Sequence, residues 1–273
     1  MNEAATNGKP LLEVEGVVKR FGGIRAVDGA TLAVREGRIT ALIGPNGAGK
    51  TTLFNVLTGF YKGDRGSVRL RGQEILGEHP YEIARKGMVR TFQITKALAA
   101  MPVIDNMMLA ARDQPGETLR DVFFRPRSVK AREEEVRKQA MELLGIFNLR
   151  DLADAYAGTL SGGQRKLLEL ARALMAQPEL LLLDEPMAGI NPTLGRRLLD
   201  HMQGLRREMG VTIMFIEHDM EVVMNHSDRV VVMAEGRVIA EGEPEEVRKD
   251  KRVIDAYLGE VGADAASEGS ADE

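Results

Sequence analysis

Residues 44–52 read GPNGAGKTT and follow a short apolar run. Glycines let backbone N–H groups surround a phosphate where a Cβ would clash. In the pattern Gly-x-x-x-x-Gly-Lys-Thr, Lys50 can bridge the β- and γ-phosphates and the Thr51 hydroxyl can ligate Mg²⁺. The alternative is a plain glycine-rich turn, which the predicted strand before it and the predicted helix after it disfavour. The predicted nucleotide-binding residues are Gly44, Pro45, Asn46, Gly47, Ala48, Gly49, Lys50, Thr51 and Thr52.

Two carboxylates farther along the chain could turn binding into hydrolysis, which needs a metal anchor and a group that orients water. Asp184 and Glu185 follow the leucines of residues 180–183. A carboxylate at the carboxyl end of a parallel strand faces the crevice where ligands bind. We therefore expect Asp184 to hold Mg²⁺ and Glu185 to accept a hydrogen bond from the attacking water. The alternative for both is a solvated acidic turn.

The segment LSGGQ at 160–164 resembles the signature motif of ATP-binding cassette (ABC) ATPases. On its own it would indicate only a helix capped by Ser161. GPNGAGKTT precedes it, and LLLLDEP and then IEHD at 216–219 follow it, so the order and spacing match that family along nearly the whole chain. The resemblance implies an ATP hydrolase with ATP and Mg²⁺ as cofactors.

In that family two ATPase subunits clamp two ATP molecules head to tail. The resemblance therefore implies that the signature residues contact the γ-phosphate bound by Lys50 of a second subunit, identical or different. A monomer should then bind ATP but hydrolyse it poorly. The signature residues are Ser161, Gly162, Gly163 and Gln164.

Three further residues gain roles only from the resemblance. Gln93 matches the loop glutamine that reaches Mg²⁺ and water, and His218 matches the switch histidine at the γ-phosphate. Phe21 matches the aromatic residue that stacks on adenine, although taken alone it would be a core residue. One departure stands out, because Asn191 occupies the place of the family's usual aspartate in the loop after the catalytic glutamate.

The segments RTFQ, MAGINP, IEHDM and VIDAYLGE together resemble the ATPases of branched-chain amino acid uptake systems. This resemblance implies a peripheral subunit on the cytoplasmic face of the membrane, with transmembrane permease subunits and, indirectly, a solute-binding protein as partners. Related ATPases serve urea or amide uptake or lipopolysaccharide export. The chain could also be a soluble ABC ATPase without a transporter, or a non-catalytic ATP-gated scaffold. Lys50, Asp184 and Glu185 are all present, which disfavours the scaffold.

The elements that must position these residues alternate between strands and helices. Strands are predicted at 11–19, 29–35, 38–43 and 67–72, two buried strands at 179–186 and 211–218, and a hairpin at 229–242. Helices are predicted from Gly49 to Gly59, over 131–147, after the caps Ser161 and Asn191, and over 244–258. This alternation favours an α/β fold with a parallel core. The resemblance makes it a P-loop NTPase fold, an ABC nucleotide-binding domain with a mixed, largely parallel core sheet, an antiparallel β subdomain and a helical signature subdomain at about 95–175.

Composition sets further limits. A net charge of −4 and only 4% aromatic residues argue against a nucleic-acid partner, and the lack of cysteine excludes disulfides and thiolate metal sites. No apolar run is long enough to span a bilayer, and the polar start predicts no secretion signal.

We expect a disordered lead at 1–10, one ABC ATPase domain at 11–260 and a disordered acidic tail at 261–273. Met101, Met107 and Met108 could line a partner groove or simply fill the core.

Overall fold

The computed structural model describes residues 9–91, 98–112 and 126–257. Residues 1–8 of the predicted lead and the whole predicted tail at 261–273 lie outside these ranges. The strands are β1 Pro10–Phe21, β2 Ile24–Arg35, β3 Ile39–Ile43, β4 Arg65–Leu70, β5 Gln73–Glu74, β6 Met88–Arg90, β7 Leu180–Asp184, β8 Thr212–Ile216, β9 Arg229–Ala234 and β10 Arg237–Gly242. The helices are α1 Lys50–Leu57, α2 Pro80–Arg85, α3 Val103–Met108, α4 Pro126–Ile146, α5 Gly162–Met175, α6 Pro192–Met209, α7 Met220–His226, α8 Pro244–Val247 and α9 at 251–257.

The core sheet has the strand order β10-β9-β3-β8-β7-β6. All neighbouring pairs from β9 to β6 are parallel, and β10 pairs with β9 antiparallel. Every residue of β3, β7 and β8 is buried, because both faces of the sheet are covered. The carboxyl ends of β3, β8 and β7 therefore meet at one edge, where a ligand site is expected.

The two faces of the core sheet pack against different partners. Alternate residues of β7 belong to two hydrophobic clusters, with Leu181 and Leu183 on one face and Leu180 and Leu182 on the other. The first cluster includes side chains of α3, α4, α5 and α6, and the second includes α1 and the antiparallel sheet. This arrangement places α5, which begins in the LSGGQ segment, and α1, which begins in the GPNGAGKTT segment, on opposite faces of the core sheet.

The antiparallel sheet has the strand order β2-β1-β4-β5 and is joined to the core sheet near the start of α1. The N–H of Asp28 on β2 donates to the Gly236 carbonyl (2.8 Å) between β9 and β10. Arg237 Nη2 donates to Asp28 Oδ2 (2.6 Å), and this hydrogen bond lowers the pKa of Asp28. These links hold β2 against the turn between β9 and β10, and the N–H of Gly236 in that turn donates to the Ala48 carbonyl (3.1 Å) of the loop after β3.

The α/β fold with a mixed core sheet, an antiparallel sheet and a helical region confirms the fold predicted from the sequence. The helix predicted over 131–147 is present as part of α4, and the apolar side chains of Val136, Ala140, Leu143 and Phe147 are buried. Met107 is fully buried as well, so it fills the core rather than lining a groove. Met101 and Met108 are half-buried.

Several elements differ from the prediction. The strands β5 and β6 and the short helices α2, α3 and α7 were not predicted. The single helix predicted over 244–258 is wrong, because the chain turns at 248–250 and starts again as α9. Asp250 explains the restart, since its carbonyl accepts from the N–H groups of Val253 (3.0 Å) and Ile254 (3.1 Å) and its Oδ1 accepts from the Arg252 N–H (2.9 Å). Asp250 thus caps a new first turn.

Candidate functional site

The loop after β3 has a shape that admits only glycine at two positions. Gly44 and Gly49 adopt φ angles of 146° and 93°. A Cβ on Gly44 would lie 2.0 Å from the Met233 carbonyl oxygen, and one on Gly49 would lie 2.1 Å from that of Ala26. Both glycines therefore let the loop pass close to neighbouring strands, and the N-terminus of α1 follows directly, with its N–H groups available to an anion.

Lys50 lies back over this loop. Its Nζ donates to the carbonyl oxygens of Gly44 (2.7 Å) and Pro45 (2.9 Å). The ammonium group is thus held at the rim of the phosphate cradle. Thr51, next along α1, is exposed. This geometry suits a loop that binds phosphates through its backbone and through one cation.

Asp184 ends β7 and is buried together with an arginine that sequence reasoning did not identify. Arg90 Nη2 donates to Asp184 Oδ2 (2.6 Å), and the two side chains are only 6% and 2% exposed. Arg90 Nη1 donates to Asn55 Oδ1 (2.7 Å) on α1. The second carboxylate oxygen, Asp184 Oδ1, is buried and has no hydrogen-bond partner among the residues that the structure describes. A buried carboxylate oxygen is costly to leave unpaired, so this atom fits a metal ligand.

Glu185 adopts a backbone conformation that is rare for a residue with a side chain. Its φ is 47°, and its N–H donates to the Ile216 carbonyl (3.1 Å) at the end of β8. Such conformations cost of order 1–3 kcal/mol and are found at sites where the surrounding structure holds them. The turn aims Glu185 away from the strand direction at the ligand-binding edge of the sheet.

The end of β8 carries an exposed histidine and a buried glutamate. The His218 side chain is 68% exposed, as a residue that contacts a ligand requires. Glu217 is 1% exposed, and its Oε1 accepts from the Met187 N–H (2.9 Å). Burial raises the pKa of Glu217. Glu217 was not predicted as a site residue, although a charged residue directly after an apolar strand is a signal that could have indicated it.

The signature segment begins α5 with a capping box. Ser161 Oγ accepts from the Gln164 N–H (3.2 Å), and Gln164 Oε1 accepts from the Ser161 N–H (2.9 Å). The predicted cap at Ser161 is confirmed, and Gln164 takes part in it. A Cβ on Gly163 would lie 1.9 Å from Leu194 Cδ2, whereas one on Gly162 would meet nothing within 4 Å. The Gly162 backbone is therefore open to a ligand.

Within one chain the signature segment does not meet the phosphate-binding loop. Ser161 lines a cavity between α5 and α6 together with Asn191 and His201, and no residue of the phosphate-binding loop lines it. Burial lowers the pKa of His201. The residues Pro45, Asn46, Gly47 and Ala48 line a separate cavity with Glu235 and Asp255.

Comparison with known proteins identifies the family. The family model described as ABC transporter matches residues 27–188, more than half of the chain. The chain belongs to the ABC transporter family. The model described as branched-chain amino acid ATP-binding cassette transporter matches residues 237–263. As an ABC ATPase, the chain binds and hydrolyses ATP.

Individual ABC proteins resemble the chain over most of its length. The high-affinity branched-chain amino acid transport ATP-binding protein BraF of Pseudomonas aeruginosa is 44% identical over 93% of this chain and 99% of its own. The LivG protein of Escherichia coli, of the same description, is 42% identical over 93% of this chain and 99% of its own. A solved nucleotide-free ATP-binding cassette from an ABC transporter superposes with a TM-score of 0.78 at 38% identity, covering 91% of this chain and 99% of its own.

The ABC fold brings most of the predicted residues to one sheet edge. Lys50 follows β3, Asp184 ends β7 with Glu185 directly after it, and His218 follows β8. Gln93 lies outside the described residues. Phe21 is 44% exposed, with its ring centroid 5.2 Å from that of Tyr61 and 5.1 Å from Lys19 Nζ, so the interpretation of Phe21 as a core residue is wrong.

Proposed function

We propose that this chain is the ATP-hydrolysing subunit of a membrane importer for branched-chain amino acids. The hydrolytic part rests above all on one observation. Asp184 Oδ1 is buried without a partner in the described part of the chain, and it lies next to Glu185 at the edge that also carries the phosphate-binding loop. The choice of substrate rests on relatives such as BraF and LivG, which are named for branched-chain amino acid transport.

The residues present fit a bound Mg²⁺. The described residues hold no cluster of three or more histidine, aspartate or glutamate side chains that could form a metal site by themselves. Asp184 Oδ1 and the Thr51 hydroxyl would therefore hold the ion together with phosphate oxygens, and Gln93 is the further predicted ligand. When bound, the ion neutralises the charge that develops on the transferred phosphoryl group.

The remaining side chains of the site would act on the nucleotide and on water. When ATP binds, the Lys50 ammonium group exchanges its hydrogen bonds to the Gly44 and Pro45 carbonyl oxygens for hydrogen bonds to the β- and γ-phosphate oxygens. Glu185 accepts a hydrogen bond from the attacking water and orients it in line with the γ-phosphate. His218, exposed at the end of β8, contacts the γ-phosphate, and Phe21 offers its ring face to adenine.

The partners follow from the same proposal. A second ABC subunit, identical or different, places its Ser161 and Gly162 at the γ-phosphate bound by Lys50. No helix of the described ranges has the length and apolar character to cross a membrane. We infer that the subunit attaches to permease subunits at the cytoplasmic face, with Gln93 near the contact, and that a solute-binding protein delivers the substrate to the permease.

The first test is ATP turnover of the purified chain and its Glu185→Gln variant. We expect the variant to bind ATP with unchanged affinity and to lose at least about 100-fold in kcat, because the amide no longer orients water as a carboxylate does. Glu208→Gln, an exposed glutamate on α6, is the matched control and should keep the full rate. Full turnover by Glu185→Gln would remove the proposed role.

The same variant tests transport. In cells that lack the chain, re-expression should restore uptake of labelled leucine, isoleucine and valine, and the Glu185→Gln variant should not. Capture of the tagged chain from detergent-solubilised membranes should recover a multi-spanning permease. Recovery of soluble partners alone, or restored uptake of urea or an amide instead, would contradict the proposal.

A further inference from the structure

The loop that joins Glu185 to Asn191 is held by two charged side chains. Lys166 Nζ, on α5, donates to the carbonyl oxygens of Pro186 (3.1 Å) and Ala188. Between these two carbonyl groups in the sequence, the Met187 N–H donates to Glu217 Oε1 (2.9 Å). Three consecutive residues, 186–188, thus have their backbone polar groups fixed by two side chains from distant parts of the sequence. We call this segment the catalytic loop.

The two side chains occupy positions that are unfavourable for charge. Burial raises the pKa of Glu217 and lowers that of Lys166, although the nearby Glu217 carboxylate favours the protonated lysine. Buried ionic groups seldom increase stability over apolar groups of similar volume, but they impose specific geometry through directional hydrogen bonds. The catalytic loop needs such geometry because Glu185, directly before it, has a φ of 47°.

The anchors come from the two elements that carry further residues assigned to the nucleotide. Lys166 lies on the first turns of α5, whose N-cap is Ser161, and Glu217 directly precedes His218. Because of these hydrogen bonds, a rotation of α5 would displace the carbonyl groups of Pro186 and Ala188. In the same way, a shift of the end of β8 would displace the N–H group of Met187. The catalytic loop is therefore mechanically tied to both.

We propose that Lys166 and Glu217 are positioning residues for ATP hydrolysis. They hold the backbone of the catalytic loop and, through it, the Glu185 carboxylate in line with the attacking water. They also connect that carboxylate to the signature helix and to His218. The inference rests on the proposed role of Glu185, on which Lys166 and Glu217 act through their hydrogen bonds to the loop backbone.

The test compares kcat and KM for ATP in Glu217→Ala, Lys166→Met and the conservative Glu217→Gln. In the first two variants we expect kcat to fall about 10- to 100-fold, since misplacement of a reacting group by about 1 Å has effects of this size. KM for ATP should stay within about twofold, because the phosphate-binding loop is untouched. Glu217→Gln should keep most of the rate, because an amide oxygen still accepts from Met187.

A double variant adds a second readout. When Lys166→Met and Glu217→Ala are combined in one chain, kcat should fall little further than in the more impaired single variant, because both substitutions release the same loop. The matched control is Glu241→Ala, which removes a half-buried carboxylate paired with Arg229 (3.2 Å) far from the loop and should leave kcat unchanged. If Glu217→Ala does not fold, the kcat values of Lys166→Met and Glu217→Gln still test the positioning role.

The outcomes separate this inference from the proposed function. Unchanged kcat in both single variants, or equal loss in Glu217→Gln and Glu217→Ala, would overturn the positioning role. Proportional loss of kcat and thermal stability in Glu241→Ala as well would mean that the effect is structural. If Glu185→Gln hydrolyses ATP normally, it is the proposed role of Glu185 that fails, whatever the variants at Lys166 and Glu217 do.

Discussion

Gly49 and Glu185 both have positive φ angles at the edge of the core sheet where the nucleotide is expected. For Gly49 this conformation carries no steric penalty, whereas Glu185 bears a cost that neighbouring hydrogen bonds must offset. Glu185 turns the chain as it leaves β7, whereas Gly49 turns the chain into α1. The chemistry depends on these turns as much as on side-chain identity.

Gly49→Ala should be strongly destabilising. Its Cβ would lie 2.1 Å from the Ala26 carbonyl oxygen at a φ of 93°. The overlap and the backbone strain together should lower the free energy of unfolding by about 3 kcal/mol. The same shift of the loop should abolish ATP binding. Urea denaturation and nucleotide titration measure the two effects.

Gly77→Ala separates strain from overlap. Gly77 has a similar φ of 84°, but a Cβ there would meet nothing within 4 Å. Strain alone should cost about 1 kcal/mol and leave ATP binding intact. If both variants lost equal stability, the close approach to Ala26 would not explain why residue 49 is glycine.

The sequence allowed prediction of the residues that belong to contiguous motifs. Lys50, Asp184 and Glu185 lie where the order of strands placed them. Glu217 and Lys166 were not predicted as site residues, because their partners are backbone groups of a loop 20 to 30 residues away in the sequence. A sequence shows that such a charge is present, but only the folded chain shows which backbone groups it satisfies.

At the scale of elements, signals confined to a few neighbouring residues were reliable. Ser161 and Asn191 both cap the helices predicted after them, and Gly210 ends α6 with a φ of 67°. β6 and α2 span only three and six residues, too few for a periodic pattern. β6 is stabilised by pairing with β7, and α2 buries Ile83 in the second hydrophobic cluster. The start of a new helix after Asp250 could not be predicted, because the charged residues around Asp250 are also compatible with one uninterrupted helix.

Asn191 caps α6 in the place where the family usually has aspartate. Its Oδ1 accepts from the Leu194 N–H (2.9 Å). Asn191→Ala should therefore lower the free energy of unfolding by about 1 kcal/mol, while Asn191→Asp should preserve it, because both Asn and Asp are good caps. Urea denaturation measures the difference. Equal loss in the two variants would contradict a capping role for residue 191.

At the scale of the whole molecule, the parallel order of β3, β8 and β7 explains why residues far apart in sequence share one edge. The same architecture keeps Ser161 away from that edge, in a cavity with Asn191 and His201. Under the proposed function, a single chain therefore holds two incomplete halves of a site. Two copies placed head to tail would complete two sites, which the sequence could suggest only through family resemblance.

A mixing experiment tests this head-to-tail arrangement. Lys50→Ala removes the cation of the phosphate-binding loop, and Gly162→Asp places a negative charge where the second subunit would meet the γ-phosphate. The fold should tolerate Gly162→Asp, because a Cβ there meets nothing within 4 Å and an acidic residue suits a helix N-terminus. Each variant alone should be inactive, since every site in its homodimer contains the altered residue.

Mixing the two variants should restore hydrolysis. In an equimolar mixture about half of the dimers combine both chains, and each of these has one intact site of two, so about a quarter of the wild-type rate should return. The control replaces Gly162→Asp by Gly145→Asp, an equally open helix position on α4, which should be active before mixing. Because neither inactive chain contains a complete site, a recovered rate can come only from a site shared between two copies. Absence of recovery would mean either that one chain hydrolyses ATP by itself or that the second subunit is a different protein, and activity of the wild-type monomer at high dilution would distinguish the two.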